Sequence, residues 1–76
     1  MSTKAYVLIE IAVGKSNEVT NAIKGIRGVK SVDQVTGSYD VITVIEAASL
    51  NEIGDLVTSK IHPIPGISRT VTCLAI

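Results

Sequence analysis

Two β-branched runs joined by a glycine-centred turn constrain this chain more than any other feature. Val29-Lys30-Ser31-Val32-Asp33-Gln34-Val35 leads into Thr36-Gly37-Ser38-Tyr39-Asp40, and Val41-Ile42-Thr43-Val44-Ile45 leads out. Val, Ile and Thr favour a pleated, extended backbone, so each run reads as a strand. With Gly37-Ser38 at the centre, the two read as a β-hairpin with a type II′ turn, Gly37 supplying the positive φ. The tip also gathers the Thr36 hydroxyl, the accessible N–H groups of Gly37 and Ser38, the Tyr39 phenol and the Asp40 carboxylate. So many polar groups in an apolar chain mark the tip as the candidate functional site. The alternative is a plain turn next to a solvated Asp40.

The remaining elements flank this hairpin. Lys4 to Ile11 is nearly continuous apolar sequence broken by Glu10, the pattern of a strand covered on both faces. After Val13-Gly14-Lys15, Ser16 reads as a helix N-cap, with Glu18 favourable in the first turn. Val19, Ala22, Ile23 and Ile26 then share one helix face, and Thr20, Asn21 and Lys24 the other; Gly25 or Gly28 ends the helix. Ser49-Leu50-Asn51-Glu52 reads as a capping box in which Glu52 reaches back to the Ser49 amide. Leu50, Ile53, Leu56, Val57 and Ile61 form the apolar stripe of a second helix, stopped by His62-Pro63-Ile64-Pro65-Gly66. Ile67 to Ile76 closes the chain as a strand, Val71, Cys73 and Ala75 alternating with Thr70, Thr72 and Leu74. Ile26-Arg27-Gly28-Val29 is echoed by Ile64-Pro65-Gly66-Ile67, which points to two related halves. The order βαββαβ predicts one α+β domain over residues 1–76. It is ferredoxin-like, a four-stranded antiparallel sheet with two helices on one face.

Two helices cover only one face of such a sheet, yet both faces of the predicted strands carry large aliphatics. Leaving several hundred Å² of them in water forfeits several kcal/mol at about 25 cal/mol per Å², comparable to the stability of a small domain. The expectation is therefore a symmetric homodimer, a dimeric α+β barrel formed by sheet pairing. Seven basic and seven acidic residues balance, which leaves no electrostatic footprint for nucleic acid or an anionic membrane. The single Cys73 excludes an internal disulfide and a thiolate-rich metal site, and its apolar surroundings read as those of an inert buried thiol. No apolar run is long enough to span a membrane and no signal-peptide pattern is present, so a cytoplasmic protein is expected. No paired carboxylates, nucleophile–base arrangement, phosphate loop or Cys-x-x-Cys stands out, so no catalytic residue, metal or cofactor is expected. His62, the only histidine, would be the general base in an alternative reading as a small dimeric barrel enzyme of monooxygenase or isomerase type.

Three stretches together resemble the ligand-binding (RAM) domain of the Lrp/AsnC regulators: Ile26-Arg27-Gly28-Val29, Thr36-Gly37-Ser38-Tyr39-Asp40, and Ile64-Pro65-Gly66-Ile67-Ser68-Arg69-Thr70-Val71-Thr72. The resemblance runs over essentially the whole chain. It implies dimers formed through the sheets, rings of dimers (an octamer or similar), and small effectors, usually amino acids, bound between dimers against the hairpin loop. Family regulators carry an N-terminal helix-turn-helix domain, whereas Met1 here leads directly into the first strand, as expected of a stand-alone effector domain without direct DNA contact. Full-length regulators are then possible partners, and a purely structural assembly module is the remaining alternative. For a zwitterionic effector, Asp40 would accept from the ammonium and the Gly37 and Ser38 amides would bind the carboxylate. Tyr39 would wall the cleft, while Thr70 and Thr72 would add hydroxyls, or simply serve β-propensity on a half-exposed face.

Overall fold

The computed structural model describes residues 2–76. Alternate residues of β1 (Thr3–Ile11) are buried: Ala5, Val7 and Ile9 completely, Ile11 almost so. A strand with that much apolar surface on one face belongs at the centre of a sheet. There it lies, in the order β2-β3-β1-β4, with β2 (Val29–Gln34), β3 (Val41–Ala47) and β4 (Ile67–Leu74) all antiparallel to their neighbours. Helices α1 (Ser16–Lys24) and α2 (Leu50–Leu56) complete the βαββαβ order. Val41 and Ile45 of β3, Val19 and Ile23 of α1, and Ile53, Val57 and Ile61 along α2 and its extension join β1 in one core. Thr43 is also fully buried, its hydroxyl donating to the Ser31 carbonyl at 2.6 Å.

The opposite face of the sheet is bare within one chain. In register, Tyr6 lies between Val44 and Cys73, and Leu8 between Ile42 and Val71. Tyr6 is 39% exposed, so β1 is covered on one face only, not on both. Cys73 is exposed too, because it falls on this bare face of an edge strand; the thiol is not the buried one that its apolar neighbours suggested.

Local chemistry adjusts several boundaries. Lys15, not Ser16, is the residue before α1; its carbonyl accepts from the Val19 amide at 3.0 Å, and no side chain caps the helix. Thr20 is buried alongside Val19 and Ile23, while Ala22 is exposed. The core face of α1 is centred on those three positions, and a small Ala loses little by facing water. Ser49 does cap α2, accepting from the Glu52 amide at 3.2 Å, but Glu52 reaches past it to the Ala48 amide at 2.9 Å. Leu50, expected in the apolar stripe, is 58% exposed. Beyond Leu56 the helix widens into a π turn, Val57–Ile61, with the His62 amide bonded to the Val57 carbonyl at 2.8 Å. Residues eight apart drift by about 80° on a regular α-helix. The wider turn lets Ile53, Val57 and Ile61 all stay buried.

The four-residue echo is a repeated turn. Ile26 and Ile64 each accept from the amide three residues on, Val29 at 3.3 Å and Ile67 at 3.4 Å. Gly28 and Gly66 take φ of 97° and 102°, values that only glycine adopts at low cost. Each is also pressed against the other half's helix. A Cβ on Gly28 would stand 2.8 Å from Leu56 Cδ1, and one on Gly66 2.9 Å from Lys15 Cβ. Gly25, with φ of −82°, is not the left-handed residue. Among the described residues no helix is long and apolar enough to cross a membrane.

These contacts set a stability contrast. Gly28→Ala and Gly66→Ala should each cost about 1–3 kcal/mol, since they add backbone strain to a clash. Gly54→Ala, within α2 and with open space at its Cβ, should be neutral or stabilise by up to about 1 kcal/mol. Urea unfolding midpoints at one fixed protein concentration measure the contrast; equal effects at all three positions would contradict it.

Candidate functional site

β2 and β3 remain paired as far as Gln34 and Val41, and the Val35 amide then bonds to the Asp40 carbonyl at 2.9 Å. Four residues, Thr36 to Tyr39, lie inside that closing bond, so the tip is wider than the two-residue type II′ turn expected. Gly37 does take a positive φ, 141°. Thr36, Gly37 and Ser38 are exposed, and Tyr39 and Asp40 are half-buried.

The loop widens because Asp40 is occupied with β1. Its amide donates to the Ile9 carbonyl at 2.9 Å, and its Oδ2 accepts from the Ile11 amide at 2.7 Å. The carboxylate thus clamps the hairpin onto the end of β1, with Oδ1 making no hydrogen bond among the described residues.

Strand directions decide what meets there. β3 starts opposite Ile9 and β4 starts opposite Ile11, so the hairpin tip, the end of β1 and the start of β4 converge at one end of the sheet. Tyr39 Oη accepts from Arg69 Nη2 at 3.2 Å, and the guanidinium carbon is 5.6 Å from the Tyr39 ring centroid. Glu10 Oε2 is 3.8 Å from the same Nη2, across the Glu10–Arg69 register pair. The Arg69 and Glu10 side chains are 61% and 45% exposed, so their pairing contributes about 1 kcal/mol at most. The sequence alone assigns neither residue a role. The available signal was that Glu10 interrupts the apolar first strand and Arg69 is the one cation in the last.

The two threonines part company. Thr70 Oγ1 is 2.6 Å from His62 Nε2, and both border a cleft of about 280 Å³ along the start of β4, with Ile67, Ser68 and Arg69. Thr72 borders a separate apolar groove of about 340 Å³ between α2 and β4, beside Leu50 and Leu74. The structure therefore brings Thr36–Asp40 to the Arg69 end of β4, which Thr70 adjoins, and leaves Thr72 apart. No cluster of metal-binding side chains occurs among the described residues.

The architecture defines a small ferredoxin-like α+β domain with its polar groups gathered at one end of a half-covered sheet. The chain belongs to the Lrp/AsnC ligand-binding domain family, whose model matches residues 4–76. A helix-turn-helix-type transcriptional regulator of Pyrococcus furiosus is 33% identical over 78 residues, covering 99% of this chain and 52% of the regulator. The chain thus spans about half the length of that relative. A homocitrate synthase of Sulfurisphaera tokodaii is 34% identical over 58 residues, 76% of this chain but 12% of the enzyme. Among solved structures, a hypothetical protein of Pyrococcus horikoshii superposes with a TM-score of 0.91 at 34% identity, covering all of this chain and 90% of that one. A transcriptional regulator of Neisseria meningitidis, solved as a complex with L-methionine, shares the fold with a TM-score of 0.87 at 14% identity, over 97% of this chain and 49% of that chain.

The clamp itself is testable. Asp40→Ala should destabilise the domain by about 1.5–3 kcal/mol, the range for a hydrogen bond to a charged group. Asp40→Asn, which keeps an acceptor, should cost less. Hydrogen exchange at the Ile11 amide should accelerate in the order wild type, Asn, Ala. An unchanged Ile11 rate in Asp40→Ala would show that the clamp does not hold.

Proposed function

We propose that this chain is an effector-sensing assembly domain that binds a small molecule, an amino acid, at the hairpin end of the sheet and couples its occupancy to association between copies. One observation carries the reading: the polar hairpin tip meets the start of β4 at the margin of an uncovered apolar face. A ligand held at that margin touches whatever packs against the face. It therefore binds the associated state preferentially and shifts the equilibrium by mass action.

In this reading Gly37 and Ser38 offer backbone N–H groups to the effector's carboxylate, and Thr36 adds its hydroxyl. Asp40 offers Oδ1 to the ammonium, and the Tyr39 ring walls the site. Thr70, beside its cleft, marks the limit of the site toward β4, and Thr72 serves a ligand only if it extends to the α2 groove. The copies pair first through the bare faces of their sheets, and such dimers assemble into a ring of eight copies or a similar number. Full-length regulators of the family are candidate partners. The methionine complex of the Neisseria meningitidis regulator supports an amino acid as the ligand class. A matching segment inside an enzyme as well as in regulators fits a sensor that operates with different partners. No catalysis is assigned, since a relative matched over 99% of the chain is a regulator and His62 is engaged with Thr70.

Native mass spectrometry tests the reading directly. The purified chain should appear as a dimer or larger assembly whose distribution shifts with one or a few of the twenty amino acids at millimolar concentration. Val44→Asp, a charge placed in the middle of the bare face, should give monomers. It should also expose Cys73 to faster alkylation by iodoacetamide than in the wild type. Indifference to every amino acid would overturn the sensor reading, and a wild-type monomer would overturn the sheet pairing.

A further inference from the structure

β4 ends the sheet on one side, and the direction of its backbone groups follows from one bond. The Ala75 amide donates to the Lys4 carbonyl at 2.9 Å, and Ala5 lies opposite Leu74, so Lys4 and Ala75 form a hydrogen-bonded pair. In an antiparallel ladder such pairs alternate with unbonded ones. Arg69, Val71 and Cys73 therefore turn their amides and carbonyls to β1, while Ser68, Thr70, Thr72 and Leu74 turn theirs outward. The side chains of the outward set lie on the helix side, since Thr70, Thr72 and Leu74 are in register with the buried Ile9, Val7 and Ala5.

The opposite edge of the sheet is defended and this one is not. β2 carries Lys30 and Asp33 and slips register between Val29 and Ser31, features that discourage addition of another strand. β4 keeps one register from Arg69 to Leu74, and its four outward-facing residues include no charge and no proline. Both clefts follow those four residues. The apolar groove borders Thr72 and Leu74, and the polar cleft borders Ser68 and Thr70. They are two ends of one trough between the free edge and the arm of α2.

The two ends differ in chemistry. Leu50, Ile53 and Val57 line the first, and Leu50 and Leu74 are exposed at its mouth. At the second, His62 Nε2 and Thr70 Oγ1 share one hydrogen. If the hydroxyl donates it, the ring keeps a hydrogen on Nδ1; if the ring donates it, the hydroxyl hydrogen stays free. Either tautomer leaves a donor, beside the Ser68 hydroxyl and the outward amides of Ser68 and Thr70. No acidic residue among the described ones lines either cleft. Aliphatic side chains fit the first end, and a carboxylate fits the donors of the second. A second copy does not match this polarity. Antiparallel pairing of β4 with itself along its length brings the apolar end of each copy to the polar end of the other.

We propose that the outer edge of β4 docks an extended segment of a partner polypeptide, added antiparallel as a fifth strand. Aliphatic side chains at two alternate positions enter the groove beside α2, and an acidic side chain two residues later meets His62 and Thr70. Main-chain bonds to the outward residues supply affinity, and the two ends of the trough supply selectivity. Such docking uses neither the hairpin tip nor the bare face, and it holds whatever the effector is.

Amide-resolved NMR of the intact chain tests the docking with two capped peptides of equal composition. Acetyl-Val-Thr-Val-Thr-Asp-Thr-amide has the fitting order, and acetyl-Thr-Asp-Thr-Val-Thr-Val-amide reverses it. Before any peptide is added, the Thr70, Thr72 and Leu74 amides should exchange faster than those of Arg69, Val71 and Cys73. The first peptide at saturation should slow the outward set at least about tenfold and leave the inward set unchanged. The reversed peptide should bind at least about tenfold more weakly, the effect of losing one charge-assisted hydrogen bond. A Cβ at Gly54 meets open space, so Gly54→Leu keeps the fold, which its unfolding midpoint checks, and fills the groove. It should also weaken the first peptide at least about tenfold. Slow exchange of the outward amides in the free chain would overturn the proposal, with a second copy as the occupant of the edge. Equal binding of the two peptides, full binding to Gly54→Leu, shifts confined to the hairpin or the bare face, or no response to the first peptide would each overturn it as well.

Discussion

Ala5, Val7 and Ile9 are fully excluded from solvent because α1 and α2 both lie over their side of the sheet, and none of the described residues lies over the other. The described residues make two layers, the sheet and the helices over one side of it. At about 25 cal/mol per Å², the side that is covered drives folding. The same term acts on Tyr6, Leu8, Ile42, Val44 and Val71 as an unspent driving force for association. The proposed sheet pairing would use the same strand pattern that folding uses. Polar pairs at both ends of this face, Lys4 opposite Glu46 and Glu10 opposite Arg69, give it the polar rim and apolar centre common to protein interfaces.

Position along the sheet matters as much as side. Antiparallel pairing sends the β2–β3 hairpin back to the point where β1 ends and β4 begins, and Asp40 ties the three together through the Ile9 carbonyl and the Ile11 amide. A loop that would otherwise be a free tip is held at its base, while Thr36, Gly37 and Ser38 stay exposed. A firm base with accessible N–H groups lowers the ordering cost of binding a ligand there. The repeated turns at Gly28 and Gly66 extend the same economy to the whole molecule. Each half's turn closes against the opposite half's helix, so neither half completes its packing alone.

Strand periodicity, helix spacing and the turn residues determined the element order, the two faces of β1 and β3, the capping of α2 by Ser49, and the family, because these follow from contacts between residues close in sequence. The four-residue echo was visible for the same reason. Tertiary structure alone decided the rest. Cys73 is exposed because β4 is an edge strand, and Thr20 displaces Ala22 because Val19 and Ile23 orient α1. The hairpin loop holds four residues because Asp40 bonds to a strand that ended some thirty residues earlier. Arg69 and Glu10 were silent in the sequence since their meaning lies in a cross-strand register and in Tyr39, far from both along the chain. Local propensities act over a few residues; a binding site is assembled by pairings between distant ones, and these exist only once the sheet has formed.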